Sequence, residues 1–149
     1  MALDIEALYQ NIIMDHMKNP KNKGLLHDSN YSSFRLNNPS CGDDITLEIF
    51  IENGIIKDIR QEGHGCTISM ASASIISETL RNMKINEALT LINDFYEVVQ
   101  GKNVEDENKL GDAVAMQGVS KFPMRIKCAT LAWKVCERIL KDEQGEEEK

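Results

Sequence analysis

The sequence has few of the features that mark membrane, secreted or nucleic-acid-binding proteins. No apolar run in its 149 residues approaches the length of a membrane span, and the opening MALDIEALYQ lacks the basic flank and apolar stretch of a signal peptide. Basic residues are outnumbered, because 17 Lys and Arg stand against 24 Asp and Glu for a net charge of −7. This balance argues against a basic binding face. We therefore expect a cytoplasmic protein whose partners are neither nucleic acid nor membrane.

Cysteine is scarce and scattered, and this distribution argues against some of its usual roles. The four cysteines, Cys41, Cys66, Cys128 and Cys136, form no local CxxC pair of the kind found in a zinc ribbon. In a cytosolic protein of this size, scattered cysteines indicate metal or thiol chemistry more often than disulfides. A GxSxG motif is also missing around the serine-rich stretch SMASAS, so the sequence does not predict a hydrolase of that type.

The hydrophobic pattern predicts one α+β domain spanning residues 1–149. The predicted order is one helix, three strands and three helices, with a polar segment at residues 101–119 and a frayed acidic tail at residues 142–149. Residues 45–52 give the clearest strand because apolar and polar side chains alternate there. Asn86 is expected to cap the helix that follows it. We therefore expect a small antiparallel three-stranded sheet with helices packed on one face.

A hairpin signal at Asn53-Gly54 bears on the position of two cysteines. A strict two-residue turn pairs Cys41 with Cys66 where the two strands end, but it also places Asp58 on the apolar face of the preceding strand. A three-residue turn with a bulge, slipped by one residue, suits the hydrophobic pattern better. Both registers leave the two thiols close together.

Three cysteines and one acid have the residue types of a metal site. Cys66 and Cys128 each stand at the start of a predicted helix, where the helix dipole and the free amide groups favour the thiolate. Cys41 lies in a loop with Gly42, and Asp43 follows directly. Three thiolates and a carboxylate match the number and type of ligands in a tetrahedral zinc site. The spacing alone leaves a second interpretation open, since isolated cysteines often serve as small buried apolar residues.

Three blocks of the sequence resemble a known family. NPSCGDDITLEI, GHGCTISMASASI and KFPMRIKCATLAW are similar to the signature blocks of the IscU/NifU-type scaffold family, and more closely to those of its SufU branch. The resemblance begins in the first helix, at LYQNIIMDH, and extends to about Trp133. It implies an IscU-like α+β fold. Two features favour the SufU branch, namely Lys127 where IscU-type scaffolds carry a histidine and an apparent insertion at residues 101–119.

The resemblance also implies roles for individual residues. The metal ligands of the family correspond to Cys41, Asp43, Cys66 and Cys128, and the sulfur-accepting cysteine corresponds to Cys41. Arg125 matches an arginine expected beside the metal, which makes it a candidate catalytic residue together with Cys41. Among these ligands we expect Asp43 to be the most labile, because it offers oxygen among sulfurs.

The implied function is that of a zinc-dependent sulfurtransferase. Such a protein accepts persulfide sulfur from a SufS-type cysteine desulfurase for iron–sulfur cluster biogenesis, and passes it to a thiol reductant or to downstream assembly proteins. Docking is expected to free Cys41 from zinc for attack. One alternative is a scaffold that assembles a transient [2Fe–2S] cluster on the same cysteines, and another is a structural zinc-binding adaptor. The sequence leaves open whether His64 or Lys127 touches the site, and predicts that Cys136 fills the core.

Overall fold

The computed structural model describes residues 5–40, 42–105 and 107–147 and confirms the predicted α+β class. A three-stranded antiparallel sheet carries the helices on one face. The elements, in chain order, are α1 (Ile5–Lys18), β1 (Tyr31–Asn38), β2 (Asp43–Glu52), β3 (Ile55–His64), α2 (Thr67–Thr79), α3 (Ile85–Val98), a 3-10 segment (Glu107–Lys121) and α4 (Pro123–Glu147). Within the described ranges, no helix combines the length and the apolar character needed to cross a bilayer.

The central strand β2 divides its side chains between two faces of the sheet. Ile45, Leu47 and Ile49 are fully buried on the face that packs against α4, as the alternating pattern predicts. Glu48 points to the opposite face, where its carboxylate accepts the backbone N–H groups of Leu26 and His27 at 2.6 and 3.0 Å. These bonds fasten the segment after α1 to the second face of the sheet and bury Glu48 there.

The β2–β3 hairpin combines a tight turn with a bulge further along the strands. Asn53 and Gly54 both have positive φ, at 55° and 74°, which matches a two-residue hairpin turn. The register then shifts by one residue between Phe50 and Ile51, and Asp44 comes to lie opposite His64. The predicted slip is therefore confirmed, but the predicted three-residue turn is wrong because the extra residue lies in β3 rather than in the turn.

Several helix boundaries differ from the predicted ones. Helix α3 begins at Ile85 with Lys84 in the N-cap position, so the predicted cap at Asn86 is wrong. Helix α4 begins at Pro123, five residues before Cys128, because proline is well suited to the first helical position. At its other end α4 remains helical to Glu147, where the sequence indicated a frayed tail.

The polar segment at residues 101–119 has more order than its sequence suggests. Residues Glu107–Lys121 form 3-10 turns with a kink at Gly111, and their buried side chains pack toward α1, α2 and α3. His16 of α1 helps to anchor this segment, because its ring nitrogens contact Ser74 of α2 and Asp112 of the segment, each at 2.8 Å. His16 therefore ties three elements together, and the assignment of residues 101–119 as a branch-specific insertion stays a prediction.

The Ser72 side chain joins α2 to α4 in the core. Ser72 donates a hydrogen bond to the Ala129 carbonyl at 2.6 Å and accepts one from Trp133 Nε1 at 2.9 Å. The Trp133 ring in turn stacks on Phe95 with the ring centres 3.8 Å apart. The small residues of α2 thus let the two helices approach closely, and this approach places Cys128 beside the start of α2.

Candidate metal and thiol site

Three chemistry-bearing side chains from three elements converge at one end of the sheet. Asp43 is the first residue of β2, Cys66 immediately precedes α2, and Cys128 lies in the second turn of α4. One ligand atom of each, a carboxylate oxygen or a sulfur, lies within 4.8 Å of the others. Residues that are distant along the chain therefore form a group with the spacing of metal ligands.

Asp43 is the most constrained member of this group, with only 1% of its surface exposed. Its Oδ1 accepts hydrogen bonds from the backbone N–H of Cys66 and from the Ser69 hydroxyl, both at 2.9 Å. Its Oδ2 is buried and has no hydrogen-bond partner among the described residues. A buried carboxylate oxygen without a partner is costly, and coordination of a cation at that atom would satisfy it. The donor set thus fits a divalent metal.

Gly65 allows the chain to pass close to this carboxylate. Its φ is +156°, and a Cβ atom at this position would lie 2.3 Å from Asp43 Oδ1 and 2.7 Å from Ser69 Oγ. Both distances are shorter than real contacts of a Cβ atom, so a side chain at position 65 would displace the carboxylate. The glycine before Cys66 is therefore required by the geometry of Asp43.

The two described thiols of the group differ in solvent exposure and in their distance from the start of a helix. Cys66 is half-buried in the N-cap position of α2, which confirms its predicted place at a helix start. Cys128 is fully buried and is the sixth residue of α4, so its predicted place at a helix start is wrong. The helix dipole acts mainly within the first turn, and Cys66 lies closer to the positive end of its helix than Cys128 does.

Arg125 supplies positive charge to both thiols from the first turn of α4. Its exposed guanidinium hydrogen-bonds to Cys128 and also interacts with Cys66. The hydrogen bond to Cys128 and the charges of the two thiolates raise the pKa of Arg125 above its usual value. A fixed cation beside a thiol favours the thiolate. The arginine that the resemblance placed beside the site therefore contacts it directly.

Other candidate residues lie outside this group. His64 has an 80% exposed side chain, and its Nε2 lies 4.0 Å from Asp44 rather than against the thiols. Lys127 is exposed to solvent. Cys136 is fully buried, and this burial raises the pKa of its thiol, as expected for a core residue. Cys41 lies outside the described residues, so its assignment as a ligand and as the sulfur acceptor stays a prediction.

Ser69 is a residue of the site that sequence reasoning missed. Its hydroxyl contacts Asp43, and it is fully buried. The serines of SMASAS suggest only close helix packing, an explanation that fits Ser72 but not Ser69. The sole signal for Ser69 is its position three residues after Cys66, in the first turn of the helix.

The site is open on the side of Arg125. A groove of about 880 Å³ runs between α1, the end of the 3-10 segment and the start of α4, and Arg125 and Ile68 are among the residues that line it. Phe122, at its rim, is 60% exposed. The groove therefore borders the site through Arg125, which interacts with both thiols.

Substitution of Gly65 by alanine should weaken metal binding because the added methyl group displaces Asp43. We expect the affinity for Zn²⁺, measured by competition with a chromophoric chelator, to fall by roughly 10- to 100-fold. Gly118→Ala is the matched control, since a Cβ there meets nothing within 4 Å. Equal affinities in the two variants would contradict the geometry described for Asp43.

The chain is similar to a known protein family and to several of its members. The NifU-like N-terminal domain family matches residues 8–129. The zinc-dependent sulfurtransferase SufU of Bacillus subtilis is 47% identical over 95% of each chain. The iron–sulfur cluster assembly scaffold protein IscU of Streptococcus pyogenes is 41% identical over 95% of this chain and 88% of its own.

A solved structure supports the same relationship. It is described as an iron–sulfur cluster assembly scaffold protein for the SUF system, from Fervidobacterium islandicum. It superposes with a TM-score of 0.76 at 32% identity, covering 91% of this chain and 98% of its own. These likenesses confirm the resemblance to the SufU branch, and the chain belongs to the family of NifU-like N-terminal domains.

Proposed function

We propose that this protein is a zinc-dependent sulfurtransferase of iron–sulfur cluster assembly, which accepts persulfide sulfur on Cys41 from a SufS-type cysteine desulfurase. The observation that carries the proposal is the convergence of Asp43, Cys66 and Cys128, with one carboxylate oxygen that has no hydrogen-bond partner in the described part of the chain. The similarity to a relative named as a zinc-dependent sulfurtransferase supports the same activity.

Cys41 is the residue that would complete the site. It stands two residues before Asp43, and its thiol would bring the set to three sulfurs and one oxygen. Four ligands of these types suit tetrahedral zinc. Bound zinc keeps thiols deprotonated at neutral pH and adds no redox chemistry of its own.

The transfer step needs a nucleophile and a leaving group but no external oxidant. The Cys41 thiolate attacks the outer sulfur of the desulfurase persulfide, and a new sulfur–sulfur bond forms on Cys41. The bond between the two sulfurs of the donor breaks, and its electron pair stays on the desulfurase cysteine, which takes up a proton. Arg125 contributes by stabilising negative charge on the neighbouring sulfurs. A thiol reductant or an assembly protein then receives the sulfur from Cys41.

Desulfurase turnover tests the activity directly. We expect this protein to increase the rate of sulfide release from cysteine by a SufS-type desulfurase in the presence of a thiol reductant. Chelation of the metal should abolish the increase, and added Zn²⁺ should restore it. Cys41→Ala should abolish both the stimulation and the gain of one sulfur atom seen by mass spectrometry.

The matched control is Cys136→Ala, which removes a fully buried thiol outside the site and should leave the stimulation intact. A Cys41→Ala variant that accepts sulfur at the normal rate would contradict the proposal.

Arg125 should affect the rate of transfer without being a metal ligand. We expect Arg125→Ala to lower the desulfurase-dependent rate by roughly 2- to 5-fold, a modest effect because the side chain is exposed and its charge is screened. The zinc content should stay unchanged. Lys127→Ala is the control for loss of an exposed cation nearby. An identical rate in the two variants would contradict a specific role of Arg125 in sulfur transfer.

A scaffold that assembles a transient [2Fe–2S] cluster is the second candidate, because two of the relatives are named as scaffold proteins. The same cysteines would serve it, but exposed Lys127 stands where IscU-type scaffolds carry a histidine. Metal analysis with a visible spectrum separates the two functions, since tight zinc without a chromophore favours transfer and a coloured iron-bound form favours the scaffold. A purely structural zinc site would instead leave desulfurase turnover unchanged and unfold on chelation.

A further inference from the structure

Ser69 is placed to control how Asp43 presents its carboxylate. We propose that Ser69 is a positioning residue that holds Asp43 Oδ1, so that Asp43 binds the metal through Oδ2 alone. The inference rests on the proposed function, because it concerns the same metal. Ser69 is fully buried in the first turn of α2, and its hydroxyl lies 2.9 Å from Asp43 Oδ1.

The two carboxylate oxygens of Asp43 differ in their hydrogen bonding. Oδ1 accepts the N–H of Cys66 and the hydroxyl of Ser69, while Oδ2 has no hydrogen-bond partner among the described residues. A carboxylate oxygen has about two lone-pair sites, so two donors occupy Oδ1. Only Oδ2 remains for a cation, and single-oxygen binding keeps the coordination number at four when three thiolates are present.

The single hydroxyl proton of Ser69 has two acceptors within reach. Asp43 Oδ1 lies at 2.9 Å and the Cys66 carbonyl at 3.0 Å. An ionised carboxylate is the stronger acceptor, so the proton goes to Asp43 whenever that residue is charged. Ser69 Oγ also lies 3.6 Å from Cys66 Sγ. The Ser69 hydroxyl therefore holds Asp43 without adding charge beside the sulfur of Cys66.

These contacts change the expected behaviour of Asp43. Its carboxylate is held by two donors, and a side chain at position 65 would overlap it. A ligand fixed in this way is pre-organised, and we infer that Asp43 stays in place during sulfur transfer. This differs from the expectation, based on ligand type alone, that Asp43 is the most labile ligand.

A simpler role for Ser69 makes a different prediction. If its hydroxyl serves only the start of α2 through the Cys66 carbonyl, removing it would change the stability of the apo protein and leave the metal affinity unaltered. A double-mutant cycle with Asp43 separates the two roles, because a positioning residue acts only when the residue it positions is present.

The experiment measures zinc affinity by chelator competition in four proteins: unchanged, Ser69→Ala, Asp43→Ala and the double variant. We expect Ser69→Ala to weaken zinc binding by roughly 10- to 100-fold, as for other partners of metal ligands, and to have no further effect in the Asp43→Ala background. Ser77→Ala is the matched control, since Ser77 is equally buried on the same helix and contacts Ser74 and Lys21 rather than the site.

Cobalt substitution gives an independent readout. The visible absorption of the Co²⁺ form should change on Ser69→Ala, because Asp43 becomes free to bind through both oxygens, and should not change on Ser77→Ala. Alanine has a higher helix propensity than serine, which favours folding of the variant, and Ser69→Gly removes the same hydroxyl if a second variant is needed.

Two results would overturn the inference. One is an unchanged zinc affinity in Ser69→Ala, and the other is an equal loss with and without Asp43. Both leave the proposed function standing, because they require a protein that binds zinc. A protein that binds no zinc at all, and does not stimulate the desulfurase, would instead overturn the proposed function.

Discussion

The hydrogen bond from the Cys66 amide to the Asp43 carboxylate is the constraint on which the site depends. It joins the first residue of β2 to the residue that precedes α2 at a distance of 2.9 Å. The approach is possible because glycines occupy the end of β3 and the turn after it. A Cβ at Gly63 would lie 2.0 Å from the Asp44 carbonyl oxygen, and one at Gly65 would overlap Asp43. The two glycines of GHG before Cys66 are therefore needed because a side chain at either position would clash with β2.

The third member of the group is brought in by helix packing. Small residues on α2 allow α4 to approach, and Ser72 fixes the contact through the Ala129 carbonyl and Trp133. Cys128 immediately precedes Ala129. The hydrogen bond from Ser72 to the Ala129 carbonyl, which holds α4 against α2, therefore also holds the Cys128 thiol in its buried position. Arg125 lies one turn earlier on α4 and reaches the same sulfurs from the solvent side. Core packing and site chemistry therefore share the same short stretch of α4.

Much of the fold could be predicted because its signals are local. Alternation at Ile45, Leu47 and Ile49 predicts a half-buried strand, and Asn53-Gly54 predicts the turn that follows it. The bulge in β3 could not be located, because its position depends on pairing along the whole ladder. The start of α4 was missed although Pro123 signals it, and the dipole argument for Cys128 was wrong for that reason.

The site was only partly predictable from sequence. Asp43, Cys66 and Arg125 could be named because their blocks resemble the signature blocks of the family. Ser69 could not, because a hydroxyl reveals its role only when a residue distant in the sequence lies beside it. The Oδ2 atom of Asp43, which has no hydrogen-bond partner among the residues that the structure describes, could not be predicted for the same reason. Tertiary contacts, rather than motifs, decide how a candidate ligand is held.

The central claim is that thiolates and the Asp43 carboxylate surround one divalent ion. X-ray absorption spectroscopy at the zinc edge of the purified protein measures those ligands directly. The account predicts a shell dominated by sulfur at about 2.3 Å with one oxygen at about 2.0–2.2 Å. A shell of nitrogen and oxygen alone, or one with the outer scattering of imidazole, would contradict it.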